Sequence, residues 1–350
     1  MAAALVLLLT ACTKTPEQLY EEQKTGVVMV INKYYYELKL PSGGTFYFTG
    51  LDEEGNIAGF TEDEDEVKKA PAVGFGTAFF VTETGTLLTN RHVASPPIDE
   101  ELVKQGFENI ITTLQAYAVS YMQEIQQEYD AAQAQMASAG YYDEWGYYVV
   151  DDYALEAYQQ QVSQLASEFE EAQQMVQHLE MVKDPTGITI TPVCELGIAY
   201  EGTTPKDEYD FLKKHPCKVI RTSGSKEVDL ALLKLNSATT PADTYIFDPF
   251  EADDNLNIGD PLYMVGYNAG VELSYTKRGI LSQLTKGAVT QKPDGERVLY
   301  DIATVQGSSG SPVLNENGEL VAVNFAKYAK SDNFNLGIPL SAIRKFLTNE

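Results

Sequence analysis

The sequence contains few basic residues. Lys and Arg number 25 among 350 residues, against 51 Asp and Glu, so the formal net charge at pH 7 is −26. Phosphate backbones and anionic lipid surfaces carry charge of the same sign and are repelled. The imbalance argues against nucleic acid or an anionic membrane surface as the main partner, and solubility is its simplest explanation.

The apolar run at the start of the chain is short. Residues 1–12 (MAAALVLLLTAC) cannot span a bilayer as a mature helix and are typical of a signal segment. Their end, LTAC, resembles a bacterial lipobox, which implies a lipid on Cys12 and an extracytoplasmic place in a bacterial cell envelope, periplasmic or surface-facing. Residues 1–11 are then a signal segment and residues 12–25 a polar tether. A frayed apolar start is the alternative.

Cysteine is rare, with three in the chain, and no cofactor motif is recognisable. Cys194 and Cys217 lie in extended stretches. In an oxidising compartment, a disulfide between them would close a loop of about 23 residues and add roughly 3 kcal/mol. Two unpaired buried thiols are the alternative, because a sequence does not show the distance between two residues.

No metal ligand set, phosphate loop or nucleotide fingerprint stands out, so no cofactor is expected.

The stretch TVQGSSGSPV (residues 304–313) surrounds Ser309 with glycines. Gly307 and Gly310 let the backbone take turns that a Cβ would obstruct. Such a turn can direct the amides of Gly307 and Ser309 at one point, where a tetrahedral intermediate would hold its negative oxygen. A serine hydroxyl becomes a nucleophile when a base, itself oriented by a third group, takes its proton. The hypothesis therefore requires a histidine and a carboxylate.

Histidine is also scarce, and one of three has a supporting context. His92 follows a strand pattern that ends abruptly in TLLTNRHVA (residues 86–94). Asp229 stands at the head of an apolar strand, EVDLALLKL (residues 227–235). His178 is expected on the surface of a helix and His215 in a loop. The candidate base and carboxylate are therefore His92 and Asp229.

The order of His92, Asp229 and Ser309 in the chain is informative. The α/β-hydrolases use the order Ser, acid, His and need glycine two residues after the serine, where this chain has Ser311. The sequence resembles the trypsin-like serine proteases, nearest the bacterial HtrA-type and glutamyl-endopeptidase-type branches. Three further segments look like landmarks of the HtrA-type domain: GDPLYMVGY (residues 259–267), RGILS (residues 278–282) and GIPL (residues 337–340).

The resemblance implies a mostly β protein with two six-stranded antiparallel β-barrels of the chymotrypsin type. It implies a serine endopeptidase that acts on proteins or peptides through an acyl-enzyme. His92 would be the base, Asp229 would orient it, and the amides of Gly307 and Ser309 would form the oxyanion hole. Ser308 stands where digestive relatives have an aspartate that pairs with a new N-terminus, so that activation switch should be absent.

Four residues are expected to line the substrate pocket by the same resemblance. Ala303 occupies the position where trypsin-like specificity places a carboxylate, so cleavage after Arg or Lys is not expected. Asn324 aligns with the histidine by which glutamyl endopeptidases bind a substrate carboxylate, so Glu specificity lacks support. With Thr304 and the narrowing ring of Phe325, the pocket should favour small or medium apolar P1 residues.

Residues 99–183 add more chain than the barrels need between His92 and Asp229. Apolar residues recur at steps of three and four in both halves of this segment, which predicts an antiparallel helical hairpin with a coiled-coil seam. The first arm would bury Phe107, Ile110, Leu114, Ala118, Tyr121, Ile125, Tyr129, Ala132 and Met136. The second would bury Leu155, Tyr158, Val162, Leu165, Phe169, Ala172, Val176 and Leu179. The protease domain would then comprise residues 26–98 and 184–350.

The turn between the arms is rich in aromatic residues, and the arms are acidic. The insertion has 16 acidic and 2 basic residues, a net charge of −14. Exposed aromatic clusters mark partner sites, and the alternative is that the rings pack the turn. The rival to catalysis is a silent protease-fold scaffold that binds a protein partner here, and an intact triad argues against it. The aromatic residues are Tyr141, Tyr142, Trp145, Tyr147 and Tyr148.

Overall fold

The computed structural model describes residues 14–207, 210–225, 227–327 and 334–349. Cys12, the predicted site of lipid attachment, and the predicted signal segment lie outside these residues. The described residues form two compact units. The first comprises those within 1–35, 70–97 and 192–350, and the second comprises residues 36–69 and 98–191.

The secondary structure is mainly short strands with two long helices. The strands are β1 (Val27–Lys39), β2 (Thr45–Phe48), β3 (Gly50–Leu51), β4 (Ile57–Ala58), β5 (Ala72–Phe80), β6 (Thr86–Thr89), β7 (Gly140–Tyr142), β8 (Tyr148–Val150), β9 (Thr189–Ala199), β10 (Pro216–Thr222), β11 (Ala231–Leu235), β12 (Pro261–Gly266), β13 (Tyr275–Thr276), β14 (Gly279–Ile280), β15 (Gln283–Gln291), β16 (Val298–Tyr300), β17 (Pro312–Leu314), β18 (Leu320–Lys327) and β19 (Asn335–Pro339). The helices are α1 (Pro16–Gln23), α2 (Glu64–Val67), α3 (Arg91–Ala94), α4 (Glu100–Ala137), α5 (Asp152–Val182), α6 (Asp210–Lys214), α7 (Val271–Ser274) and α8 (Leu340–Thr348).

Two closed barrels of six strands each make up the first unit. The first barrel has the order β1-β5-β6-β11-β10-β9 and closes through a pairing of β1 with β9. The second has the order β12-β15-β16-β19-β18-β17 and closes through β12 and β17. Neighbouring strands run antiparallel, as β1 does with β5 and β12 with β15. The predicted chymotrypsin-like architecture is confirmed.

Strand β1 shows why the first barrel packs on both of its faces. Its opening run VVMVI is almost completely buried. Side chains alternate between the two faces of a strand. Val27 and Met29 therefore join a cluster that also contains residues of the second barrel, such as Met264. Val28 and Val30 join a cluster made only of first-barrel residues and their neighbours. A continuous apolar run is typical of a strand covered on both faces.

The segment predicted as a polar tether is instead part of the first unit. Thr15 caps α1 through a capping box with Gln18, and Leu19 is fully buried. The side-chain amide of Gln23 donates a hydrogen bond to the carbonyl of Gly318, and the hydroxyl of Tyr20 donates to that of Ser282. The helix is too short for apolar periodicity to reveal it, and the contacts that attach it to the unit join residues far apart along the chain.

The second unit contains the helical hairpin. Gln115 donates a hydrogen bond to Glu180, and the amide of Asp151 donates to the carbonyl of Ala139, so α4 and α5 are antiparallel as predicted. Strands β7 and β8 join them as a two-stranded ribbon. Residues 36–69, which the sequence assigned to the protease domain, group with the hairpin, because the rings of Phe46, Phe60 and Phe107 pack together at 5.0–6.1 Å.

The seam of α4 differs in part from the predicted one. Ile111, and not Ile110, is buried, while Leu114 and Tyr121 are 44% and 41% exposed. Along the middle of the hairpin the buried positions repeat every seven residues, and a strict heptad decides between adjacent apolar residues that a spacing of three or four cannot separate. These positions are Ile111, Ala118, Ile125 and Ala132 in α4, and Leu165, Ala172 and Leu179 in α5.

Candidate active site

His92 and Asp229 meet because their strands are neighbours. Strands β6 and β11 run antiparallel with Thr89 opposite Ala231, so the end of β6 and the start of β11 lie at one edge of the barrel. His92 is in the helical turn α3 that follows β6, and Asp229 lies two residues before β11. Nδ1 of His92 is 2.5 Å from Oδ2 of Asp229, and the backbone amide of His92 donates to Oδ1 at 3.0 Å.

Two neighbours of His92 hold the backbone of Asp229. The side-chain amide of Asn90 donates to the Asp229 carbonyl at 2.9 Å, and the backbone amide of Arg91 donates to it at 3.2 Å. Burial raises the pKa of Asp229, but the hydrogen bonds and charge of His92 and the charge of Arg91 outweigh it, so that this pKa lies below its ordinary value of 3.8. The carboxylate is therefore ionised at neutral pH. Sequence analysis missed Asn90, which is distinguished only by its complete burial.

The loop around Ser309 requires its glycines. Gly307 and Gly310 have φ of +97° and +86°, in the left-handed region that residues with a Cβ rarely adopt. A Cβ on Gly307 would lie 2.4 Å from the carbonyl oxygen of Tyr267, and one on Gly310 would lie 2.0 Å from that of Thr77. The predicted need for glycine thus has two physical sources, the backbone dihedral and the packing against neighbouring strands.

Thr77 of β5 fastens this loop to the first barrel. Its backbone amide donates to the carbonyl of Ser309 at 2.8 Å, and its hydroxyl donates to the carbonyl of Gly307 at 2.9 Å. The hydroxyl in turn accepts from the backbone amide of Tyr267 at 3.1 Å. Thr77 is completely buried. Sequence analysis missed it, and a hydroxyl in an otherwise apolar strand (GFGTAFF) was the signal available.

Asn324 fastens the loop to the second barrel. Its side-chain amide donates to the carbonyl of Ser308 at 3.0 Å and to the Ser308 hydroxyl at 3.2 Å. The hydroxyl of Tyr300 donates to Oδ1 of Asn324 at 2.8 Å. All three side chains are buried, and burial raises the pKa of Tyr300 well above its ordinary value, so its hydroxyl stays protonated.

The side chains of the candidate nucleophile and base are partly accessible. Ser309 and His92 are both half-buried, and the Ser309 hydroxyl makes no hydrogen bond to any described residue, the His92 ring included. The backbone amides of Gly307 and Ser309 likewise donate to no described residue. Hydrogen bonds between a nucleophile and its base are often long without substrate and shorten in the complex. The carboxylate–imidazole contact is therefore formed, and the hydroxyl–imidazole hydrogen bond is not.

The predicted pocket residues divide into two kinds. Thr304 is buried and donates its hydroxyl proton to Oδ1 of Asn335 at 2.5 Å, and the amide of Asn324 is bound to Ser308. The polar groups of both side chains are engaged in hydrogen bonds that support the loop, and their place in the substrate pocket stays a prediction. Ala303 is exposed, and the ring of Phe325 is half-buried against the main core. The pairings responsible join distant residues, which sequence analysis could not resolve.

The two remaining histidines have different surroundings. His178 is exposed on α5, as predicted. His215 follows α6, where its ring packs against the edge of Tyr200 with centroids 4.7 Å apart, and burial together with the charge of Lys214 lowers its pKa. His215 has no hydrogen bond or ion pair with Asp229 in the part of the chain that is described.

Cys194 and Cys217 are free thiols, so the disulfide alternative is not formed. Cys217 of β10 lies opposite Leu196 of β9. Cys194 is two residues before Leu196 on the same strand, so the two cysteines are diagonal neighbours. Such diagonal neighbours are about 7–8 Å apart, beyond the usual reach of a disulfide. Burial raises the pKa of both thiols, that of Cys217 to about 12. They are therefore protonated packing residues.

Two closed antiparallel barrels, with a histidine–carboxylate pair at the edge of the first and a glycine-bounded serine loop in the second, define a chymotrypsin-like protein. Residues 200–323 match the family described as the trypsin-like peptidase domain. This match confirms the resemblance to the trypsin-like serine proteases that was stated from the motifs.

Similar proteins include two bacterial relatives. The magnetosome formation protease MamE of Paramagnetospirillum magneticum is 29% identical over 127 residues, which cover 35% of this chain and 17% of MamE. HhoA, a candidate serine protease of Synechocystis sp., is 31% identical over 121 residues, which cover 33% of this chain and 30% of HhoA. The chain thus spans less than a third of the length of either relative.

A solved structure, the serine endoprotease from Yersinia pestis, is similar at 12% identity with a TM-score of 0.44. The similarity covers 96% of this chain and 66% of that one. Separately, within the described residues no helix combines the length and apolarity that crossing a membrane requires.

Proposed function

We propose that the protein is a serine endopeptidase in which Ser309 is the nucleophile, His92 the general base and Asp229 the orienting carboxylate. The observation that carries this proposal is the contact between Nδ1 of His92 and Asp229. Because the carboxylate accepts from Nδ1, a neutral imidazole carries its proton there and presents Nε2 as the basic nitrogen. A scaffold without catalysis would not need this tautomer.

The reaction would proceed in two halves. Nε2 of His92 takes the proton of Ser309 as its oxygen bonds to the peptide carbonyl carbon, and the carbonyl oxygen becomes an oxyanion. The amides of Gly307 and Ser309 stabilise that oxyanion. Collapse breaks the peptide C–N bond, and His92 returns the proton to the leaving amine. Water then attacks the acyl-enzyme by the same route and regenerates Ser309.

A fluorophosphonate probe tests the proposal directly, because it reacts only with an activated serine. We expect labelling of the full chain and loss of labelling in Ser309→Ala. Ser311→Ala should retain labelling and serves as the matched serine control. A folded protein that is not labelled, or equal labelling of Ser309→Ala, would reject the serine endopeptidase and favour the silent scaffold.

The ribbon at the end of the helical hairpin favours a second function, the binding of a protein partner. Tyr142, Trp145 and Tyr147 are 73%, 76% and 72% exposed, although the ring of Tyr142 also contacts that of Tyr148 with centroids 5.4 Å apart. The carboxylate of Asp143 accepts from the amides of Trp145 and Tyr147 at 3.0 and 2.8 Å and orders that turn. Rigid exposed aromatic residues are frequent centres of protein interfaces.

The charge of the hairpin indicates the kind of partner. Residues 105–182 contain no Lys or Arg, so a cationic protein segment is complementary. Trp145 is the only tryptophan, and its emission therefore reports on this ribbon. We expect a lysine-rich peptide to shift the emission in a salt-dependent way, and the peptide with Gln in place of Lys to leave it unchanged. Equal responses to both peptides would exclude charge recognition.

We further propose that the chain is anchored to the outside of a bacterial cytoplasmic or outer membrane through a lipid on Cys12. The LTAC string supports this placement. Expression in a bacterial host should place the parent in the detergent phase of a detergent–water partition and Cys12→Ser in the aqueous phase. Partition of both proteins into the aqueous phase would reject the anchor.

A further inference from the structure

A cleft of about 310 Å³ borders the Ser309 loop. Val305 and Gln306 line it, and they immediately precede Gly307. Phe75 lines it from β5, two residues before Thr77, whose amide binds the carbonyl of Ser309. None of the four residues predicted for the P1 pocket lines this cleft. It is a separate depression next to the atoms that would react.

A strained turn shapes one wall of the cleft. Ala269 and Gly270 both have positive φ, +56° and +53°, and a non-glycine residue rarely adopts this conformation. A Cβ on Gly270 would lie 3.1 Å from the Phe75 side chain, so the close approach of the turn to β5 needs glycine. Backbone strain of this kind is concentrated at binding and catalytic sites. The turn leads into α7, which presents Val271 and Glu272 to the cleft.

Glu272 is the one charged residue that lines the cleft. Its carboxylate is exposed and forms no hydrogen bond or ion pair with any described residue, including Lys277 and Arg278, which follow α7 in the chain. The apolar side chains of Val73, Phe75, Val271 and Val305 line the same cleft, so it offers both apolar and polar surface. Apolar side chains beside an unpaired carboxylate match a side chain with an aliphatic stem and a cationic head.

We propose that this cleft binds a Lys or Arg side chain of the substrate at a position flanking the scissile bond, with Glu272 as the residue that selects the cation. The inference rests on the proposed endopeptidase function and adds a substrate class to it. The stem would pack along the valines, and the cation would lie near the face of Phe75 and the carboxylate of Glu272. The net charge of −26 would draw cationic peptides to the protein.

Peptide pairs that differ at one position measure this selection. In each pair, Lys is replaced by Gln at one position, and the series covers both sides of an apolar P1 residue. At the substrate position whose side chain enters the cleft, we expect kcat/KM for the Lys peptide to exceed that for the Gln peptide about fivefold, the scale of a partly exposed ion pair. The preference for Lys should disappear in Glu272→Gln. In Glu272→Lys, a peptide with Glu at the same position should have a higher kcat/KM than the Lys peptide. Glu316→Gln, an exposed glutamate in the turn between β17 and β18, removes the same charge elsewhere and should keep the preference.

Binding to Ser309→Ala separates this inference from the proposed function. Fluorescence anisotropy of labelled peptides with this variant needs no turnover, and the Lys peptide should bind about fivefold more tightly than the Gln peptide. If the parent labels with fluorophosphonate but Lys and Gln peptides are equal at every position in both assays, the cleft inference is wrong and the peptidase stands. If the parent fails to label while the binding preference depends on Glu272, the peptidase is wrong and the cation site stands. Equal loss of the preference in Glu272→Gln and Glu316→Gln would overturn the site by attributing the effect to net charge.

Discussion

The side-chain amide of Asn324 donates hydrogen bonds to both the carbonyl and the hydroxyl of Ser308, at 3.0 and 3.2 Å. A trans peptide unit is planar, so its N–H points opposite to its C=O. By binding the Ser308 carbonyl, Asn324 fixes the peptide unit that also contains the Ser309 amide, which we propose as an oxyanion donor. The peptide unit next to Ser309 is thus held by the neutral side-chain amide of Asn324.

Asn324→Ala should lower turnover by about 10²-fold, the effect of losing one oxyanion donor. KM for a peptide should change little, because the substitution alters transition-state and not ground-state contacts. Tyr300→Phe removes the donor to Asn324 but keeps the Ser308 contact, and it should lose much less activity. The kcat, KM and melting temperature of both variants are measured together, and these values check the assignment. A parallel loss of kcat and stability in both would indicate a purely structural role.

Asp229→Asn should reduce kcat by about 10⁴-fold and leave the fold intact, because an amide stabilises the wrong tautomer of His92. The barrel contacts of β6 and β11 do not depend on the charge. Steady-state kinetics and a circular dichroism melt of the same sample measure the two effects. Comparable rates for variant and parent would remove Asp229 from the mechanism.

The pH dependence of stability should carry a signature of Asp229. Its pKa in the folded protein is below the ordinary 3.8, so the folded state favours the ionised form and unfolding takes up a proton at acid pH. The contribution is fully present above pH 3.8 and is lost as the pH falls through the folded value. The difference in unfolding free energy between the parent and Asp229→Asn should therefore be constant near neutral pH. It should become smaller as the pH falls below 3.8. Divergence at low pH would contradict the sign of this pKa shift.

Gly310→Ala should abolish fluorophosphonate labelling and destabilise the protein strongly. The added methyl group would meet the Thr77 carbonyl at 2.0 Å, in addition to the cost of a positive φ of about 1–2 kcal/mol. Gly295→Ala is the matched control, because Gly295 has φ of +95° with nothing within 4 Å of its added Cβ. Labelling and chemical denaturation of both variants separate the clash from the backbone strain. Equal effects of the two changes would show that the Ser309 loop tolerates a side chain there.

Ile125→Ala should destabilise the helical hairpin by about 2–5 kcal/mol, as for other buried Ile residues. Ile125 is 3% exposed and packs in one cluster with Ala132, Leu165 and Ala172. Leu114→Ala should have a small effect, since Leu114 is 44% exposed. Thermal melts followed by far-UV circular dichroism compare the two variants. A larger loss from Leu114→Ala would restore the seam read from the sequence.

The helical hairpin illustrates how far periodicity alone can go. Apolar spacing predicted both helices and their antiparallel arrangement, because each helix buries a stripe that its own sequence displays. It did not decide between Ile110 and Ile111, since the exact seam depends on which residues of α5 lie opposite. The grouping of residues 36–69 with the hairpin was also hidden, because it rests on three phenylalanine rings from separate segments.

At the candidate site, the sequence by itself determined the candidate residues His92, Asp229 and Ser309, and the resemblance that their motifs carry implied the two barrels. These motifs are local: a serine between glycines, a histidine after an ending strand and an acid before a beginning one. Only the tertiary structure decided which residues support them, namely Thr77, Asn90, Tyr300 and Asn324. The hydrogen bond from Thr77 to Gly307 joins residues 230 positions apart. Such contacts arise when strands pack across the molecule, and no pattern of neighbouring residues records them.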